Sequence, residues 1–278
     1  MGQSRISMDK QQTELGGLLK QWRGVRGHSQ LDISLDTGIS QRQISFIESG
    51  RSVPGRSTLM GIAQALEIPL RERNLLLLAA GYAPHYSEAA WNSGEMKSIA
   101  RALERMLAQH EPYPAIVMDR YWNVLLTNNA SARFFNCFID MSARPSPRNI
   151  LHLMFDPKGM RPFIANWEAL ANSLIQRVHR EAIGHVADQR TKDLVADLLA
   201  YPDVPSDWRG SQTPRDLPMI PMSFVKDGAV MNYFSLITTV GTPQIIAAQE
   251  IRIECIYPVD DETEVLHARL LAASSARH

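Results

Sequence analysis

Gln41, Arg42, Gln43 and Ser45 crowd the start of a short stretch, Ser40 to Arg51, whose residue types suit base edges. Arg can grip guanine and Gln can grip adenine bidentately in a DNA major groove. Behind them Ile44 and Ile47 stand at the i, i+3 spacing that buries one side of a helix, and Ser40 is a good N-cap. The stretch therefore packs on one side and reaches out on the other. By itself such a segment is more often an ordinary solvated surface helix, so its neighbours decide.

Upstream, Ser29 to Gly38 reads as a capped helix, with Gly38 supplying the left-handed turn into the second helix. Helix, short glycine turn and a second helix with a polar start make a helix-turn-helix. The residues Ser29-Gln30, Gly38-Ile39-Ser40 and Ile44 to Gly50 resemble the XRE family of phage-repressor-like regulators. The resemblance implies a five-helix DNA-binding bundle. It also implies that Arg23, in the last turn of a first helix over Glu14 to Arg23, pairs with Glu48 and clamps the reading helix. On this reading Gln30, Ser40, Gln41, Arg42, Gln43 and Ser45 face the bases, while Arg51 and Arg56 lie near phosphate. Two departures, Ser34 and Leu35, stand where the family often has Ala and a polar residue; Leu35 is a candidate interface residue.

With 278 residues and 45% hydrophobic content the chain has room for two domains. The formal charge is zero, which argues against a uniformly nucleic-acid-coating protein. Residues 1–83 hold ten Lys/Arg against seven Asp/Glu, and 84–278 hold nineteen against twenty-two, so the basic excess sits with the helix-turn-helix. The bundle continues through a helix over Thr58 to Leu66, capped by Ser57. A last helix follows Pro69 at an N1-like position, and its run Leu75 to Leu78 is too apolar to bury on one side alone. Gly81 to Tyr86 makes a boundary, giving 1–83 as the DNA-binding domain and 84–110 as linker and connecting helix, the helix spanning Glu95 to His110. Residues 111–278 form the second domain.

That second domain opens with a strand over Ala115 to Arg120, a Tyr121-Trp122-Asn123 turn and a strand over Val124 to Thr127. A helix then starts on Asn128 or Asn129. The stretch resembles the MmyB-like ligand-binding domain, through Glu111 to Asp119, Trp122-Asn123-Val124, Asn128, Ala130 and Arg161 to Trp167. Arg180-Glu181, Leu198 to Pro202, Asp207-Trp208-Arg209, Gly241 to Gln244 and Glu250 to Glu254 fit as well. The middle, Asn149 to Tyr201, keeps helical spacing. Strands over Met219 to Val225, Val230 to Thr238 and Glu250 to Tyr257 follow, then a helix over Asp260 to Ala273. The fold class expected is an all-α helix-turn-helix bundle plus an α+β, PAS-like C-terminal domain with an antiparallel sheet.

The resemblance implies a small lipophilic effector, a fatty-acyl chain for example. Nine of the twelve methionines lie beyond residue 83, and Met suits an adaptable apolar pocket as well as a plain core. Candidate ligand residues are Phe134, Phe138, Met154, Arg161, Trp167, Met231, Tyr233 and Phe234, with Arg161 placed to meet a carboxylate or, alternatively, a local acid.

Other chemistry is thinly represented. His179 and His185 are off the spacing of a metal pair, and HExxH, GxSxG, P-loop and GxGxxG motifs do not occur. Arg177, His179, Arg180 and Glu181 read as a solvated helix face. Asp188, Asp193 and Asp197 have no nucleophile beside them in sequence. Cys137 and Cys255 lack metal-ligand spacing and read as reduced, buried thiols. Neither a signal peptide nor an 18-residue apolar run appears, so a cytoplasmic protein is expected, without a membrane partner, metal or cofactor. The reading is a transcription regulator, a homodimer on an inverted-repeat operator in double-stranded DNA, governed by a bound apolar effector. A regulator whose second domain only dimerises is the alternative, and an enzyme with a DNA-binding head the remaining one.

Overall fold

The computed structural model describes residues 2–146, 148–184, 188–204, 207–208, 219 and 221–275. His185 and Arg209, named above, lie outside them, as does residue 220 within the strand expected over Met219 to Val225. The chain folds as two compact units: one comprises residues 1–89, 182–188 and 242–249, the other 90–181, 189–241 and 250–278.

The first unit is built on α1 (Gly2–Arg26), α2 (Gln30–Thr37), α3 (Gln41–Glu48), α4 (Arg56–Ala65) and α5 (Leu70–Ala79). Its core joins Leu15, Leu19 and Trp22 of α1 to Ile33, Ile44, Ile47, Leu59, Ile62, Leu76 and Leu77. Helix α2 starts on a reciprocal capping box: Asp32 N donates to Ser29 Oγ at 3.1 Å, and Ser29 N donates to Asp32 Oδ2 at 2.7 Å. Gly38 closes it at φ 72°, where a β-carbon would be strained, and its N–H reaches Ser34 O. Ser40 Oγ then accepts from Gln43 N and starts α3.

Two expectations need correcting here. Helix α4 begins at Arg56 after Gly55, whose extended backbone serves as the N-cap without any side-chain bond, so Ser57 lies inside the helix. Of the run Leu75 to Leu78 in α5, Leu76 and Leu77 are buried, together with Leu70, Glu72 and Asn74 of the same helix, while Leu75 and Leu78 are exposed. Residues 242–249 also belong to this unit. Gln249 Oε1 accepts from Leu70 N at 2.7 Å, supplying a partner to the otherwise uncapped start of α5, and Ile246 N donates to Ser87 O.

The second unit carries α6 (Lys97–Gln109), after a 3-10 turn over Gly94–Met96, then β1 (Ala115–Met118), β2 (Val124–Thr127), α7 (Asn129–Asn136) and α8 (Ile150–Phe155). A further 3-10 turn, Arg161–Phe163, leads to α9 (Trp167–Gly184) and α10 (Gln189–Leu199). Then come β3 (Met222–Lys226), β4 (Ala229–Thr238), α11 (Ile246–Glu250), β5 (Arg252–Pro258) and α12 (Asp261–Ser275). Helices α9 and α11 each straddle a unit boundary.

The sheet order is β2-β1-β5-β4-β3, antiparallel throughout, so strands distant in sequence pair at its centre, as in PAS-like folds. Every residue of β1 is buried. Asp119 organises the β1–β2 turn by accepting from the backbone N–H of Tyr121 and Asn123. Asn128 ties strand to helix: its Oδ1 accepts from Ala115 N and Ser131 N, and its Nδ2 donates to Tyr113 O.

Candidate nucleic-acid interface and ligand cavity

Helix α3 is held from behind by charge and displayed in front by exposure. Arg23 Nε donates to Glu48 Oε1 at 2.7 Å and Arg23 Nη2 to Glu48 Oε2 at 3.1 Å, a two-bond fork between α1 and α3. Glu48 keeps 6% of its side chain exposed and Arg23 19%, so the pair is largely withdrawn from water. The Glu48 bond is the main reason the Arg23 guanidinium holds its proton more tightly than usual. Gly16 makes this approach possible, since a β-carbon there would lie 2.4 Å from Glu48 O.

On the outer side Gln41, Arg42, Gln43, Arg51 and Arg56 are exposed, and Ser45 is half-buried. Two guanidinium groups lie over the Phe46 ring, Arg42 at 5.3 Å and Arg51 at 5.8 Å from its centroid, which restrains both arginines beside the reading face. Gln30 is placed differently from the other DNA-facing candidates. Its Nε2 donates to Glu48 Oε2 at 2.7 Å, so it extends the clamp, and only its remaining amide groups are free to meet DNA. Ser40 spends its oxygen on the helix cap.

In the second unit the eight ligand candidates separate. Phe134, Phe138, Phe224 and Tyr233 pack ring against ring at centroid distances of 5.2 to 6.0 Å, with Met231 beside them, under His267 of α12. Met231 and Tyr233 are 2% and 0% exposed, so this group fills space as core. Phe234 stacks on Tyr257 instead. Arg161 lies 4.3 Å over the Trp167 ring with the Asp203 carboxylate 4.0 Å away, while Trp167 Nε1 donates to Asp203 O; Arg161 Nε is buried without a hydrogen-bond partner among the described residues.

The cavities lie elsewhere. The larger, about 70 Å³, is walled by Ile116, Val124, Phe135, Met141, Ile150 and Leu153, with Thr127, Ser131, Arg148 and Asn149 as its polar groups. A second of about 30 Å³ shares Ile116, Phe135 and Ile150 with it and reaches Trp122, Met154 and Glu254. Met154 is thus the one candidate that lines either space. Arg148 and Asn149 were passed over in the sequence, although Asn149 before the apolar run Ile150 to Phe155 is a helix-start signal. Asn149 Oδ1 does cap α8, accepting from Leu151 N and His152 N.

Of the charged group expected as a solvated face on α9, Arg180 is exposed, whereas Arg177, His179 and Glu181 are half-buried. Arg177 lies 4.3 Å over Trp122, burial lowers its pKa, and Glu181 bridges it to Arg252, which donates at 2.7 Å. His179 packs edge-on to Trp208. Cys137 is half-buried and Cys255 buried, both as free thiols, with burial pushing the Cys255 thiol up. Among the described residues no group of His, Cys, Asp and Glu could hold a metal ion, and no helix is long and apolar enough to cross a membrane.

A capped and clamped helix-turn-helix followed by a PAS-like domain with an apolar cavity defines a DNA-binding transcription regulator with a ligand-binding module. Residues 16–81 match the helix-turn-helix domain, and residues 99–270 match the MmyB-like transcription regulator ligand binding domain. The chain therefore belongs to the MmyB-like regulators with an XRE-type head. A search of curated proteins returned no significant match.

Proposed function

We propose that this regulator binds an inverted-repeat operator as a homodimer and that a small apolar effector in the second unit sets its DNA affinity. The observation that carries the reading is the cavity between β1, β2, α7 and α8. It is a largely apolar space left open in a domain whose other large side chains are tightly packed. A dimer is supported by the geometry of the motif, since one head offers few base contacts and two recognition helices must sit about 34 Å apart to reach successive half-sites. Val230 and Leu236, 45% and 53% exposed on β4, supply apolar surface for such an association.

An effector can move DNA affinity only through its differential affinity for the two arrangements, typically about 1–3 kcal/mol of coupling, and DNA must change effector affinity by the same factor. The test starts from an operator selected out of random duplex DNA. Affinity for it is measured with and without a cellular lipid extract, and native mass spectrometry records subunit number and carried ligand. The expected result is a dimer whose operator affinity shifts five-fold or more, in line with that coupling range. A dimer indifferent to every fraction would leave the second unit as a dimerisation module.

A further inference from the structure

The start of α5 is completed by a residue 179 positions further along the chain. The first N–H of a helix has no partner inside that helix. In α5 it belongs to Leu70, which is 6% exposed, and Pro69 before it caps with backbone alone. Gln249 Oε1 accepts the bond at 2.7 Å. A closed ring of hydrogen bonds surrounds this cap, all of it within the first unit. Asn74, buried on the same helix, accepts at Oδ1 from His85 N and Tyr86 N, and its Nδ2 donates to the Tyr86 carbonyl. The Ser87 carbonyl accepts from Ile246 N, and α11 then returns Gln249 to the helix where the ring began. Ile246 and Ala248 are buried, so α11 is packed in place. Three passages of the chain from one unit to the other adjoin this ring in sequence, after residue 89, before residue 242 and after residue 249.

The last passage is the shortest link. Gln249 belongs to the first unit and Glu250 to the second. Glu250 Oε1 accepts from Arg120 Nη1 at 2.7 Å, and Arg120 is buried immediately after the turn-forming Asp119. Beyond it β5 places Arg252 opposite Met118 and Glu254 opposite Ile116, which walls both cavities. Neighbouring residues thus anchor their side chains in different units. Consecutive Cα atoms are held about 3.8 Å apart, so a movement of β5 that carries Glu250 also pulls on Gln249. A side-chain hydrogen bond is lost by about 3.6 Å, so a shift of about 1 Å breaks the bond to Leu70. Its loss reaches the reading helix through packing, because α5 supplies Leu76 and Leu77 to the core that holds Trp22, Ile44 and Ile47.

We propose that Gln249 is a positioning residue for DNA reading, capping α5 in one state of β5 and releasing it in another, so that α11 carries the state of the second unit to the head. The proposal rests on effector control for what moves β5, and it adds the contact through which the movement acts. Caps supplied from within the head, as Ser29 and Ser40 supply them to α2 and α3, are indifferent to the second unit. Helix α5 differs in taking its cap from the connection between β4 and β5.

The experiment uses the full-length protein, the selected operator and the cellular lipid extract, with amide-resolved hydrogen exchange of α5 as a second readout. Gln249→Ala removes the acceptor and leaves a buried donor unpaired, so the Leu70 amide should exchange about tenfold faster or more. In that variant the extract should shift operator affinity by less than about twofold, against about fivefold or more in the wild type. Gln249→Glu keeps an acceptor oxygen at a helix start that favours negative charge, and should retain both slow exchange and the response. Glu250→Gln weakens the neighbouring anchor without altering a group on α5. It should speed Leu70 exchange about twofold or more, the lower bound for coupled residues, and have no effect once Gln249 is replaced by Ala.

Leu70 exchange unchanged by Gln249→Ala overturns the proposal. So does an effect of Glu250→Gln that persists in the Gln249→Ala background. An extract response of wild-type size in Gln249→Ala removes this inference and leaves effector control standing. Gln249→Glu that folds as the wild type does but has lost the response also overturns it, whatever the Ala variant does. If the extract moves no protein while Glu250→Gln still acts on Leu70 through Gln249, effector control falls and the tie between α11 and α5 stands.

Discussion

The two units differ in whether their working groups are exposed or buried. In the first, the residues for recognition are outside, and the interior serves to hold them still: Arg23, Glu48 and Gln30 are satisfied among themselves so that Arg42 and Gln43 can remain unsatisfied by protein. In the second, the informative features are inside: a cavity, and buried N–H groups on Trp122, Arg148 and Arg161 that have no hydrogen-bond partner among the described residues. Recognition of a long polymer calls for a rigid exposed face, because the polymer brings its own shape. Capture of a small molecule calls for a gap, which close packing elsewhere must hold open.

The largest effect that tests this contrast is loss of the clamp. Arg23→Met strands the Glu48 carboxylate between α1 and α3, and breaking one side of a largely buried pair costs about 3–5 kcal/mol. Thermal unfolding should show it, and the double change with Glu48→Leu should recover part of the loss. Additive losses in the double-mutant cycle would mean that the two residues act separately. A loss under about 1 kcal/mol, the range of exposed ion pairs, would show that the head does not depend on this interior.

The same contrast explains what could be read from the sequence. Ser29, Gly38 and Ser40 each act on backbone groups within three or four residues, so their caps are legible as letters in a row. Gly55 in place of Ser57 shows the weakness of that method, since an extended backbone can start a helix with no side-chain signature. β2 and the Asn128 cap were legible for the same local reason. The cavity was not, because it is defined by what Ile116, Phe135 and Leu153 fail to fill, and those residues meet only when β1, α7 and α8 pack. Met231 and Tyr233 have the composition of a pocket wall, yet α7 and α12 bring Phe134 and His267 onto them and close the space. Helix α11 was missed altogether; five residues give too little periodicity to be seen.

A smaller and more selective effect is expected at the reading face. Arg42 is exposed and makes its one described contact with the Phe46 ring, so Arg42→Ala should leave folding nearly untouched. Its cost should fall on DNA: about 1–3 kcal/mol in operator affinity, with specificity relaxed at one base pair. A panel of operator variants binding the altered protein with the wild-type rank and affinities would remove Arg42 from the reading set. Read together with Arg23→Met, the pair of variants separates support from recognition. The first should move the unfolding temperature, and the second the DNA preference.

The smallest expected effect is a pH dependence that arises in the second unit and leaves the reading face unchanged. His267 is 1% exposed. Its Nε2 faces the Pro112 carbonyl at 3.0 Å, which can only accept, so that nitrogen carries the proton and Nδ1 accepts from Tyr233 Oη at 2.9 Å. Burial holds its pKa below the ordinary histidine value; the Pro112 bond opposes this, and Arg133 of α7 adds to it. Tyr113 packs against the ring, with Glu264 hydrogen-bonded to the Tyr113 hydroxyl, and Phe134 stacks over it. The folded state therefore binds fewer protons here than the unfolded chain. Stability from this site is fully present above the unfolded pKa of about 6.5. It falls as pH drops below that value and levels off at the lower folded pKa. The slope cannot exceed about 1.4 kcal/mol per pH unit for one proton. His267→Gln should lower stability at every pH and flatten the curve between pH 8 and 5.5 relative to the wild type. Unfolding curves of the two proteins that stay parallel across that range would place the acid sensitivity outside the His267 site.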